Sequence, residues 1–193
     1  MIWNSFQLNI SGPPKTVGSD LKSADSVLVL VGPDGAIPGS LYQQWGGGHG
    51  GAPAAFDAEL GPKLLRRMAK AMEQRRFMAV HDLSEGGLAV AAAEMAFGGG
   101  GLGLDLEVPD DAEPMNFLFG EGPHRFLLEM DAGQWETFRS ECADENIPAA
   151  VIGKTMSHSH LTMRHLGKSL VDAPVTDFKQ LWQQTLEAAW PVE

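Results

Sequence analysis

The residues best suited to chemistry stand together at His81-Asp82-Leu83-Ser84-Glu85-Gly86-Gly87-Leu88. They follow a short apolar run and precede a longer one, so the pattern is a strand end, a polar turn and a helix start. Ser84 is suited to N-cap that helix, its oxygen accepting from the amide of Gly86 or Gly87. Two glycines in the first turn leave backbone amides open to close approach, and the helix dipole adds partial positive charge there. Asp82 stands just ahead, where a carboxylate could hold Mg²⁺ against a phosphate. The stretch therefore reads as a nucleotide-phosphate and metal corner. On residue types alone it reads equally as a helix cap with glycines that permit tight packing.

Other candidates are weaker. His158 and His160 share a strand face, with His165 beyond them, but no Asp, Glu or Cys stands near them at ligand spacing, and no metal site is expected. His49, within Trp45-Gly46-Gly47-Gly48-His49-Gly50-Gly51, is expected to be solvated on a mobile loop. Glu94 is expected to pack in its helix or reach a neighbouring strand or loop. Trp182 and Trp190 read as core or interface anchors. Cys142 falls on one helical face with Trp135 and Phe138 and is expected to be buried and unreactive, with no cationic neighbour evident.

The elements that must position the corner follow from periodicity. Ser26 to Val31 reads as a buried strand closed by Gly32-Pro33-Asp34-Gly35. An amphipathic helix is predicted from about Asp57 to Arg76, with Leu60, Leu64, Met68 and Met72 at steps of four. Phe77 to His81 reads as a strand and Gly86 to Phe97 as a largely apolar helix, stopped by Gly98 to Gly101. Strands follow at Leu102 to Leu106 and Phe126 to Met130, then the helix of Trp135, and two or three strands between Ala149 and Val171. A last helix runs between Pro174 and Pro191. Residues 1–19 read as an arm or linker from an upstream domain, and 20–193 as one domain. Strands interleaved with helices predict an α/β class with a mixed sheet.

Composition bounds the rest. The 193 residues form one ordinary domain with or without a short arm. A net charge of −11 argues against a general nucleic-acid binder. No apolar run approaches a membrane span, and no secretion signal is visible at Met1 to Ser5. The single cysteine excludes a disulfide scaffold. A cytoplasmic protein with no membrane or nucleic-acid partner is expected.

The stretch HDLSEGGLAVAAAEMAF resembles the HD-x-S-(D or E)-GGL-x-x-x-x-x-EMAF segment of the phosphoribosylformylglycinamidine synthase family. Thr16 to Lys22 resembles the lead-in to that family's last synthase domain. Gly39-Ser40-Leu41-Tyr42 resembles its GGS-x-Y segment. Phe119-Gly120-Glu121 with Arg125-Phe126 resembles its F-x-ES-x-x-RF segment. Relatives in the same superfamily are aminoimidazole ribonucleotide synthetase, selenophosphate synthetase, thiamine-monophosphate kinase and a hydrogenase maturation factor.

The resemblance implies a three-layer α/β/α domain of the C-terminal type found in aminoimidazole ribonucleotide synthetase. It implies part of an ATP-dependent, glutamine-using ligase that makes formylglycinamidine ribonucleotide. ATP and Mg²⁺ are the implied cofactors. The implied partners are an N-terminal-type synthase domain and a glutaminase domain or subunit. By the same resemblance Asp82 coordinates Mg²⁺, Ser84 meets the nucleotide and Glu121 is a candidate substrate contact; the open amides of Gly86 and Gly87 are expected to meet the nucleotide phosphate. Gly122 stands where the family has Ser, which departs from that last assignment. No residue is assigned as catalytic, and the isolated chain is expected to be inactive. A non-catalytic nucleotide-binding or scaffold module, or another enzyme of the superfamily, stays open.

Overall fold

A computed structural model of the chain describes residues 16–46 and 49–189, with side chains described to residue 184. Most of the arm, Gly47, Gly48, Trp190 and Pro191 lie outside the described residues. The elements in chain order are β1 (Val27–Val31), α1 (Leu41–Trp45), α2 (Leu60–Glu73), β2 (Phe77–Asp82), α3 (Gly87–Phe97), β3 (Gly103–Val108), α4 (Pro114–Phe119), β4 (Phe126–Met130), α5 (Ala132–Asp144), β5 (Ala149–Met156), β6 (His160–His165), β7 (Lys168–Pro174) and α6 (Val175–Ala189).

The strands form one seven-stranded sheet in the order β2-β4-β1-β5-β3-β6-β7. β3 and β6 run parallel, and the other neighbours are antiparallel, so the sheet is mixed as predicted. The central strands β1 and β4 are buried on both faces because helices cover both sides. On one side α3, α4 and α6 bury Leu28, Leu30, Leu104, Leu106, Leu127, Leu161 and Met163. On the other side α2 and α5 bury Val29, Val31, Leu128 and Met130 around Leu64, Met68 and Phe138. The result is the three-layer α/β/α arrangement. That second helical layer stops short: Glu107 on β3 and Val151 on β5, facing the same side, are exposed beside a hollow of about 530 Å³.

Two short helices were not predicted. The expected mobile loop after Gly39 contains α1, because Ser40 caps it through the Gln43 amide and Tyr42 stacks on Phe119 with ring centroids 5.0 Å apart. The stretch before Phe119 forms α4, started by Pro114 and by the Glu113 carboxylate, which accepts from the Met115 and Asn116 amides. The helix predicted from Asp57 begins at Leu60. Asp57 lies outside it and accepts from the Glu59 and Leu60 amides; these bonds, the Leu60 one foremost, hold its carboxyl below the ordinary range.

Candidate functional site

The corner forms where the sheet surfaces. β2 ends at Asp82, whose side chain is exposed, and Leu83 turns back into the core with its amide donating to the Arg125 carbonyl, 2.9 Å. Ser84 and Glu85 are exposed. The Ser84 hydroxyl donates to the Asp82 carboxylate at 2.8 Å, so the two form one polar pair. This corrects the capping assignment. Ser84 does not cap α3 with its side chain; Gly86 is the N-cap, at φ +81° in the left-handed region that Gly adopts without cost.

The two glycine amides are also placed differently from the sequence reading. Gly86 and Gly87 are buried. The Gly87 amide donates to the Ser84 carbonyl at 3.1 Å. The Gly86 amide donates to the Glu121 carboxylate at 2.8 Å. The same Glu121 oxygen accepts from the Leu41 amide at 2.9 Å. A Cβ on Gly87 would meet the Gly120 and Leu118 carbonyl oxygens at 2.8 and 2.9 Å. Gly87 therefore serves close packing of the Leu118 to Gly120 backbone against the start of α3, while Gly86 supplies the left-handed turn and leaves room for the Val90 side chain. Gly122 fits the same logic, since a Cβ there would come within 2.8 Å of the Ala54 methyl.

The corner has a supporting ring. His81 lies with Nε2 3.0 Å from Glu94 and Nδ1 2.6 Å from the Asp82 carbonyl, which gives Glu94 its partner. Arg125 is buried and its Nη1 donates to the Gly120 carbonyl. Burial pulls its guanidinium below the ordinary value, while nearby Asp34 acts the other way. Sequence reasoning passed over Glu129, a fully buried carboxylate in β4 that accepts from the Lys22 and Ser23 amides at 2.7 and 2.8 Å. Its signal was an acid inside an otherwise apolar strand, which needs partners to be buried. It ties the lead-in to the sheet, and the Gly18 carbonyl, in the stretch read as arm, accepts from the Val80 amide.

Elsewhere the expectations meet mixed outcomes. Among the described residues no group of three His, Cys, Asp or Glu could by itself hold a metal. His160 pairs with Asp172 across the β6–β7 hairpin. Cys142 is 1% exposed, and burial pushes its thiol up to about 11. It does have a cationic neighbour, Arg67, whose opposing effect is smaller. Trp182 is no core residue: it is 52% exposed and packs on Phe97 at the rim of an apolar groove of about 410 Å³ between α1, α3 and α6. Trp45, 83% exposed, stands across that groove. An adjoining hollow with His81 and Lys179 shares Glu94, Phe97 and Trp182 with it, so groove and corner lie on the same side of the domain.

Fold and corner together define an α/β domain that presents its polar groups at one strand–turn–helix junction. Residues 23–165 match the family model described as AIR synthase related protein, C-terminal domain, and the chain belongs to that family. It is 29% identical over 167 residues to the phosphoribosylformylglycinamidine synthase subunit PurL of Cutibacterium acnes, covering 86% of this chain and 22% of that protein. It is 34% identical over 137 residues to the PurL subunit of Rhodococcus opacus, covering 70% of this chain and 18% of that one. The chain thus spans about a fifth of the curated relatives it matches. The fold is that of T. maritima PurL complexed with FGAR, with a TM-score of 0.72, 16% identity, and 84% of this chain and 29% of that chain covered. E. coli HypE, a hydrogenase maturation protein, shares it at a TM-score of 0.62 and 16% identity, over 82% of this chain and 53% of that chain.

Proposed function

We propose that the chain is the C-terminal-type domain of a phosphoribosylformylglycinamidine synthase in purine biosynthesis, working in the cytoplasm. The supporting observation is the family membership together with the exposed Asp82–Ser84 pair at the β2–α3 turn. In this reading the domain presents the pair to ATP, and an N-terminal-type domain supplies the facing wall. A glutaminase domain or subunit supplies ammonia. The reaction activates the formylglycinamide oxygen by phosphoryl transfer from ATP, and ammonia then displaces phosphate to give the amidine.

The donor set fits Mg²⁺ in one way only. With no group of three ligating side chains among the described residues, the exposed Asp82 carboxylate suits an ion that keeps several waters and shares its remaining positions with phosphate oxygens; it does not suit an all-protein cage. Asp82 would hold the ion, which supplies charge neutralisation of the phosphates. Ser84 orients the Asp82 carboxylate and contacts the nucleotide. Gly86 and Gly87 enter through the turn they allow, since their amides are bonded within the chain. Asp82, Glu85 and Glu121 make the surroundings acidic, so a nucleotide without a cation would be repelled.

The test is calorimetry with Mg-ADP on the assembled synthase carrying Asp82→Asn. Affinity should fall at least tenfold while the unfolding midpoint of the chain stays within a few degrees. Unchanged affinity and stoichiometry would reduce Asp82 to a turn residue. The isolated chain should not turn over formylglycinamide ribonucleotide with ATP and ammonia.

A further inference from the structure

Glu121 stands out because one carboxylate oxygen serves two segments that are distant in sequence. It accepts from the Leu41 amide at the start of α1 and from the Gly86 amide at the start of α3, 2.9 and 2.8 Å away. Both amides lie at helix starts, where backbone N–H groups lack intrahelical partners and partial positive charge collects. An ionised carboxylate there makes charge-assisted bonds, the strong kind.

The backbone of Glu121 is itself held. It exchanges two hydrogen bonds with Ala36, at 2.9 and 3.0 Å. Gly120, one residue earlier, donates its amide to the Asn116 carbonyl at the end of α4 and receives Arg125 on its carbonyl. Gly35 and Gly87 press on that backbone from two sides: a Cβ on Gly35 would meet Gly120 at 2.5 Å, and one on Gly87 would meet it at 2.8 Å. Glu121 is therefore a fixed point, and the two helix starts are referred to it.

We infer that Glu121 is a positioning residue for the Asp82–Ser84 corner and not a contact to the ribonucleotide substrate. Its carboxylate holds the Gly86 turn, and that turn sets where Ser84 and Asp82 point. The same oxygen holds α1, so the corner and the Trp45 side of the groove move together. The inference rests on the reading of the corner as nucleotide-facing and adds the residue that orders it. It also assigns the anion-favouring start of α3 to a group of this chain, which leaves the nucleotide to bind through Asp82 and Ser84.

Two measurements test it. In the chain itself, amide hydrogen exchange is followed at Leu41 and Gly86 in wild type, Glu121→Gln and Glu121→Ala. Losing bonds to a charged acceptor should speed exchange at both amides together by about ten- to a hundredfold in Glu121→Ala. Glu121→Gln keeps an acceptor oxygen and should restore much of the protection. In the assembled synthase, Mg-ADP affinity should fall about tenfold in Glu121→Ala and recover in Glu121→Gln, with KM for the ribonucleotide substrate little changed. Unchanged exchange at either amide overturns the inference. So does a rise in ribonucleotide KM with Mg-ADP affinity intact, which would make Glu121 a substrate contact. Mg-ADP affinity unaffected by Glu121→Ala but lost in Asp82→Asn also overturns it, leaving Glu121 a purely structural clamp. Affinity unaffected by either substitution sinks the nucleotide reading itself, and this inference with it.

Discussion

The two helical layers of this domain are finished in different ways. Over β2, β4 and β1 the α2–α5 layer closes on itself, short of the hollow beside β3 and β5. Arg67 of α2, only 9% exposed, reaches Glu141 at 3.1 Å and also pairs with Glu145, while Arg76 bonds Glu141 at 3.0 Å. Beneath this lattice Phe77 and Phe138 meet edge to face with centroids 5.2 Å apart. Among the described residues, the layer of α3, α4 and α6, edged by α1, carries no such lattice across its helices. It leaves Trp45, Leu181 and Trp182 in water around an apolar groove, next to the polar corner. Exposed apolar surface beside a polar site is the mark of a surface that works with something else, whereas ion pairs over a sealed core mark one that only holds.

That contrast can be broken or sharpened by substitution. The largest effect is expected at Arg67. Arg67→Ala leaves Glu141 and Glu145 without their shared cation at a nearly buried position, and should cost about 2–3 kcal/mol in denaturant unfolding. Arg67→Met should cost clearly less, because an apolar stem can fill the space. Equal losses for both would mean that the ion pairs, and not packing, close this layer.

A smaller effect comes from Cys142 beneath the same lattice. Its folded-state pKa of about 11 lies above the ordinary cysteine value of about 8.5. The unfolded thiol therefore ionises first as pH rises. The stabilising contribution is complete below the ordinary value and is lost between there and about 11. Comparing wild type with Cys142→Ala, the wild-type protein should lose extra stability with rising pH across that window, by at most about 1.4 kcal/mol per unit. A flat difference curve would mean that the thiol is not sealed.

The smallest effect is expected at Trp45 on the open layer. At 83% exposure, Trp45→Ser should change stability by less than about 0.5 kcal/mol, read by thermal or denaturant unfolding. A loss comparable to Arg67→Ala would show that the groove is a structural core and would erase the contrast.

Legibility in the sequence followed the same division. The helices α2 and α3 and the largely apolar strand β4 were readable because burial on one face or on all faces leaves a pattern in residue type. The short helices α1 and α4 were not, because five or six residues hold no period and depend on Ser40, Glu113 and the Tyr42–Phe119 stack. At the site, the HDLSEGGL run marked the corner, yet the role of its serine was misread. Both Ser84 and Gly86 are common caps, and only the backbone path shows which one caps α3.

By itself the sequence determined the α/β class, the mixed arrangement of strands, the buried cysteine and the location of the polar turn. These depend on local composition and on hydrophobic periodicity, which the chain carries from residue to residue. Tertiary structure alone decided that Glu121 would bond the start of α3 from 35 residues away in the chain, that Arg67 would be buried, and that the Gly87 position would admit the Leu118 and Gly120 backbone. Those outcomes depend on which segments meet in space. A carboxylate, a guanidinium or a glycine looks the same in sequence whether it faces water, an ion or another strand.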